Sequence, residues 1–151
     1  MMSVKEQRMF SMCLTESHKS TLLYQHGCIA TRGGKIYKRG RNHHNTRNPL
    51  YMNNSCTCHA EVDVLQKVYI ELHKKEKAHK LNKVFRRITL YVTRYNNLNS
   101  APCIDCLTII QKLNIKKIIF KLNDIYFIVK PSEYETSHMS YCQLKENALI
   151  T

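Results

Sequence analysis

Residues 117–130 read Lys117-Ile118-Ile119-Phe120-Lys121-Leu122-Asn123-Asp124-Ile125-Tyr126-Phe127-Ile128-Val129-Lys130. Two apolar, β-branched runs, Lys117 to Lys121 and Ile125 to Lys130, flank a short polar break. Only Leu122-Asn123-Asp124 separates them. A parallel crossover needs a dozen or more residues, so these strands form an antiparallel hairpin.

Upstream lies a third strand, Ile88 to Tyr95, nearly all apolar or β-branched and therefore central. A loop, Asn96 to Ala101, joins it to a helix over Cys103 to Leu113, with Leu107, Ile110 and Leu113 inward. The N-terminal part predicts a helix over Met2 to Ser20, its stripe made by Val4, Met9, Met12 and Cys13. A buried strand, Leu22 to Thr31, follows. Arg32-Gly33-Gly34-Lys35 is a hairpin turn, because paired glycines take positive φ at little cost. Ile36 to Arg41 is the return strand and delivers Asn42 at its end.

Residues 42–55 show no period and read as a loop. A second helix runs from His59 to about Lys77, with Val62, Leu65, Val68, Tyr69 and Leu72 on one face. Residues 74–87 form a basic connector, read first as solvated and then as a nucleic-acid surface. Residues 131–151 form a polar tail with a weak helical patch near Ser140 to Leu149. The expected architecture is α/β, a mixed five-stranded sheet with helices on its faces, in a single domain over 1–151.

The chain carries 24 Lys and Arg against 11 Asp and Glu, a formal charge of +13. Such an excess attracts phosphorylated metabolites, polynucleotides or acidic surfaces without choosing among them. No apolar run approaches the roughly 20 residues of a membrane span. The start lacks the apolar stretch of a secretory leader. An intracellular, cytoplasmic setting with no membrane partner is the expectation. Seven cysteines, two of them in Cys-x-x-Cys, fit metal binding in a reducing compartment better than disulfides.

The chemistry lies in two short stretches, Cys58-His59-Ala60-Glu61 and Pro102-Cys103-Ile104-Asp105-Cys106, each opening a helix. A Cys-x-x-Cys at a helix start puts two thiolates on one metal, and the helix N-terminus favours their charge. Taken alone, it is equally a redox pair or half of a structural zinc site. A four-cysteine site of Cys56, Cys58, Cys103 and Cys106 is a further alternative, but it leaves His59 and Glu61 idle. On a helix Cys58 points about 100° from His59, which makes it a packing residue.

His-x-Glu followed by Pro-Cys-x-x-Cys resembles the zinc-dependent cytidine/deoxycytidylate deaminase superfamily. The resemblance covers roughly Leu22 to Lys130. It implies a three-layer α/β/α cytidine-deaminase-like fold and a catalytic Zn2+ on His59, Cys103 and Cys106. It further implies that Glu61 shuttles protons among a zinc-activated water, the ring nitrogen and the departing ammonia. The backbone amides of Ala60 and Cys103 then hold the base carbonyl, Asn42 contacts the sugar, and the chain assembles as a homo-oligomer. The first half of the motif and the strand Thr89-Leu90-Tyr91-Val92-Thr93 resemble deoxycytidylate and tRNA adenosine deaminases. The closing hairpin resembles the cytidine branch.

The expected function is hydrolytic deamination of a cytosine-bearing nucleoside or nucleotide. Alternatives are cytosine or adenine in single-stranded DNA or RNA, and an idle zinc-stabilised nucleic-acid-binding domain. The cluster Lys38, Arg39, Arg41, His43, His44 and Arg47 suits a 5′-phosphate or a polynucleotide backbone, and equally a solvated face. Tyr51, Tyr95 and Tyr126 are candidates for stacking on a base, with Tyr126 read preferentially as core.

Overall fold

The computed structural model describes residues 2–44 and 57–137. Arg47, Tyr51, Cys56 and the helical patch expected near Ser140 to Leu149 lie outside the described residues.

Helix α1, Val4–Ser17, starts at a reciprocal cap. Ser3 Oγ accepts the Glu6 N–H at 3.1 Å, and Glu6 Oε1 accepts the Ser3 N–H at 3.0 Å. Its buried face carries Met9, Phe10 and Cys13. Val4 is 84% exposed, so the apolar stripe starts later than its pattern suggested, and Phe10 belongs to it. The helix lies close on the sheet because residue 27 is glycine. A Cβ there would stand 2.6 Å from Cys13 O and Ser17 N.

Strands β1, His26–Arg32, and β2, Lys35–Arg41, form the expected hairpin, with Gly33 and Gly34 at φ 60° and 77°. The strand begins later than Leu22. Leu22 N–H donates to Ser20 Oγ and Gln25 Nε2 to Ser20 O, while Tyr24 O accepts from the Asn42 side chain, so residues 20–25 bond to side chains and loop ends in place of a regular ladder. Leu23 is 88% exposed.

The expected loop after Asn42 contains a short ladder. Strand β3, His43–His44, pairs antiparallel with β4, Thr57–Cys58, matching His43 with Cys58. Cys58 thus belongs to a strand, not to the helix. Helix α2, Ala60–Lys74, follows with His59 as its N-cap and buries Val62, Val64, Leu65, Val68 and Leu72. The basic connector holds a short helix, α3, Leu81–Phe85. Its Val84 and Phe85 are core residues, so this stretch is not merely solvated.

Strand β5, Ile88–Arg94, is central, as expected. Helix α4, Ile104–Lys112, crosses over to β6, Lys117–Leu122, which is parallel to β5. Strand β7, Ile125–Val129, returns antiparallel to β6 across Asn123 and Asp124, both at positive φ. The sheet order is β2-β1-β5-β6-β7.

Alternation along β5 produces the layers. Leu90 and Val92 pack with Val64, Leu65, Val84, Phe85, Leu107 and Ile110 on the α2–α3–α4 side. Tyr91 packs with Met9, Phe10 and Cys13 on the α1 side. The fold is the three-layer α/β/α arrangement with a mixed five-stranded sheet. Tyr126 departs from its core reading: it is 40% exposed on the edge strand, its ring 5.1 Å from Phe10. Among the described residues no helix is long and apolar enough to cross a membrane.

Candidate active site

Two helix starts converge beside the central strand. His59 caps α2 and Cys103 caps α4, both with extended backbone. Neither side chain makes a capping bond, and His59 turns across to the two cysteines of α4. Cys106 lies in the first turn of α4 and is fully buried. His59 Nδ1 stands 3.2 Å from Cys106 Sγ and 3.5 Å from Cys103 Sγ.

These separations suit a metal. Tetrahedral zinc with Zn–N near about 2.0 Å and Zn–S near about 2.3 Å has N···S edges of about 3.5 Å. The three donor atoms all lie within 4.8 Å of one another. The local charges agree. The Cys106 thiol donates to Cys103 and holds the Cys103 thiol down to about 4, against burial and with help from His59. Burial works against charge on His59, but the neighbouring Cys103 outweighs it and raises its pKa. Cys106 is pushed well up by its bond to Cys103 and by burial, so loading a cation would displace its proton. Two thiolates, one imidazole and a free vertex are a zinc-type donor set, and His59, Cys103 and Cys106 are positioned to hold the ion.

Glu61 stands beside this triad. It is buried, in the first turn of α2, within hydrogen-bonding reach of Cys106. Burial raises its carboxyl above the ordinary range, and the nearby His59 opposes the shift.

Both groups open into a cavity of about 780 Å³. Ala60, Cys103, Asn42 and His44 also line it. The Asn42 amide is engaged with backbone: Oδ1 accepts the His26 N–H at 2.8 Å, and Nδ2 donates to Tyr24 O. It anchors the cavity wall as well as facing it.

Two expected substrate contacts lie elsewhere. His43 turns away, its Nε2 3.1 Å from Asp63 Oδ1. Tyr95 packs on His18, just past the end of α1, ring centroids 4.9 Å apart, and is not part of the cavity lining. In return the cavity includes Leu22, Leu23, Tyr24, His26, Arg94 and Tyr134, which the motif did not point to. His26 and Arg94 are partners in the β1–β5 ladder. Pairing the two predicted strands in register would have found them. Burial, then Arg94, pulls the His26 imidazole down to about 4, so it is neutral at pH 7. The Arg94 guanidinium stands 5.4 Å over the Tyr24 ring.

Comparison with known proteins agrees with this geometry. The model of the family described as "Cytidine and deoxycytidylate deaminase zinc-binding region" matches residues 3–122. The fold is similar to a 1.6 Å crystal structure of cytidine deaminase from Burkholderia pseudomallei. The TM-score is 0.58 at 14% identity, over 87% of this chain and 95% of that one. It is also similar to dCMP deaminase from the cyanophage S-TIM5, in complex with dCMP and dUMP. There the TM-score is 0.51 at 18% identity, over 78% of this chain and 82% of that one. At such identities the likeness is one of fold. No curated protein matches the sequence.

Proposed function

The chain belongs to the cytidine and deoxycytidylate deaminase family, and from that premise we propose that it hydrolytically deaminates a cytosine-bearing nucleoside or nucleotide. One observation carries the proposal: Glu61, His59 and Cys103 share one cavity, with Cys106 completing the donor set behind them.

Zinc held by His59, Cys103 and Cys106 would act as a Lewis acid that makes water nucleophilic near neutral pH. The protein's own groups do the remaining work. The Glu61 carboxylate takes one proton of the attacking water and gives it to the ring nitrogen beside the amine-bearing carbon. It then takes that water's second proton and passes it to the amine, which departs as ammonia as the carbonyl forms. Its raised pKa suits both giving and taking a proton. The free N–H groups at the starts of α2 and α4 favour an electron-rich oxygen, so Ala60 and Cys103 are assigned to the base carbonyl. Val92, Ala101 and Leu122 are the apolar walls that exclude water from the base. Asn42 holds the wall at Tyr24 and His26 and presents itself to the sugar.

Cytosine is favoured over adenine by the β6–β7 hairpin, the ending that resembles the cytidine branch. A polymer substrate is the second reading, favoured by the +13 charge and by the half-exposed Tyr24 under Arg94 at the cavity. Incubation with cytidine, deoxycytidine, CMP, dCMP and a cytosine-containing oligonucleotide separates these readings. Uracil product from a monomer supports the first. Product from the oligonucleotide alone supports the second.

A further inference from the structure

A second group of metal-binding side chains stands apart from the cavity. His43, Cys58 and Asp63 each offer one donor atom, and the three atoms lie within 4.8 Å of one another. They come from β3, β4 and the first turn of α2. Cys58 and Asp63 are buried.

The hydrogen bonds of His43 prepare it for a cation. Its Nδ1 is 2.9 Å from His44 O. A carbonyl only accepts, so Nδ1 carries the proton. On a neutral ring the Nε2 lone pair then faces Asp63 Oδ1 at 3.1 Å. Two acceptors so close repel unless a cation binds both or the ring takes a second proton. An Nδ1–H on a backbone carbonyl is also the bond that orients metal-binding imidazoles. Asp63 is oriented likewise. Its Oδ2 is taken by Arg41 N–H and Lys67 Nζ, each at 3.1 Å, which leaves Oδ1 to the cluster.

Gln66 is the independent sign. It is 7% exposed, and its Oε1 is buried without a hydrogen bond. The other end of the same amide lies 3.7 Å from Cys58 Sγ and 3.5 Å from Asp63 Oδ1. The two ends of an amide are distinguished only by their partners. As placed, Nε2 donates to both groups; a cation bound by Cys58 and Asp63 would take those lone pairs and favour the turned amide, with Oε1 facing the ion. Separations of 3.1, 3.5 and 3.7 Å among these atoms lie within about 0.3 Å of the edges of tetrahedral zinc, which run about 3.3–3.6 Å for N, O and S donors.

We propose that His43, Cys58, Asp63 and Gln66 form a second, structural zinc site that clamps β3 and β4 to the start of α2. One thiolate and one carboxylate balance the dication, and the thiolate and imidazole select zinc over magnesium or calcium. The clamp would brace His44, which lines the cavity, and His59, the neighbour of Cys58. The site does not depend on what the chain deaminates.

Elemental analysis of the full chain, purified with zinc present and dialysed, tests it. The wild type is expected to hold about two zinc ions per chain. His43→Gln, Cys58→Ser and Asp63→Asn should each hold about one, as should Cys103→Ser. A wild type with one zinc, lost in Cys103→Ser, overturns the second site and leaves the first standing. Two ions that persist in both His43→Gln and Asp63→Asn also overturn it. Cobalt titration of the metal-free wild type keeps the test open if variants misfold. Two successive spectral components support the second site, and a single component at one equivalent overturns it.

Discussion

His59 Nδ1 stands 3.2 Å from Cys106 Sγ although 47 residues separate them. Helices α2 and α4 flank β5, and the start of each presents a donor to the same point. That junction joins fold and chemistry, because the same three side chains tie two helices together and make a metal seat.

Replacing Cys103 with Ser, or His59 with Ala, should therefore remove one zinc and lower thermal stability. Metal binding to a preformed site is folding free energy. Zinc content and melting temperature, with and without chelator, measure both. Unchanged melting on chelation of the wild type contradicts a metal that ties α2 to α4.

Glu61→Ala should keep its metal and lose turnover, by roughly 10²–10⁴-fold if proton transfer is its whole contribution. The proposed role of Glu61 is that of proton carrier and not of ligand. Zinc content beside kcat distinguishes the roles. Loss of zinc in this variant would make Glu61 a ligand instead.

Gly27→Ala tests the seating of α1. Its new Cβ would meet Cys13 O and Ser17 N at 2.6 Å, both backbone atoms. The helix must move, at an expected cost of about 1–3 kcal/mol. Denaturant unfolding reads this directly, and a variant as stable as wild type would show that α1 shifts freely.

Glu71 supplies a pH-dependent contribution to stability. The Tyr37 hydroxyl donates to it at 2.8 Å, and Lys38 lies 3.0 Å away. First Tyr37 and then Lys38 hold its carboxyl down to about 2, against an ordinary 4.5. A depressed carboxylate stabilises the fold fully above the unfolded value. That contribution fades as pH falls from 4.5 toward 2. The melting-temperature gap between wild type and Glu71→Gln should shrink across this window. A constant gap contradicts the assignment.

The sequence made the skeleton legible where a short-range constraint acts. The break Leu122-Asn123-Asp124 admits only a hairpin, and Gly33-Gly34 admits only a tight turn. His59, Glu61, Cys103 and Cys106 were legible because each sits at a fixed offset from a helix start. What stayed hidden depends on contacts between distant segments. His26 and Arg94 meet only through the β1–β5 register. The β3–β4 ladder joins residues on either side of a long polar stretch, so Cys58 was placed on a helix rather than in a strand. Val84 and Phe85 are core residues inside a basic segment whose net charge masks them. Residues 20–25 look like strand by composition, but Ser20 takes the Leu22 N–H and the Gln25 side chain, and Asn42 takes Tyr24 O.

The most direct measurement is product formation by the zinc-loaded wild type and by Glu61→Ala on cytosine substrates, monomeric and in an oligonucleotide. Deamination by this site requires ammonia and uracil product in equal amounts from wild type, and at least about 10²-fold slower formation of both by the variant. A fully zinc-loaded wild type that leaves every cytosine untouched contradicts it.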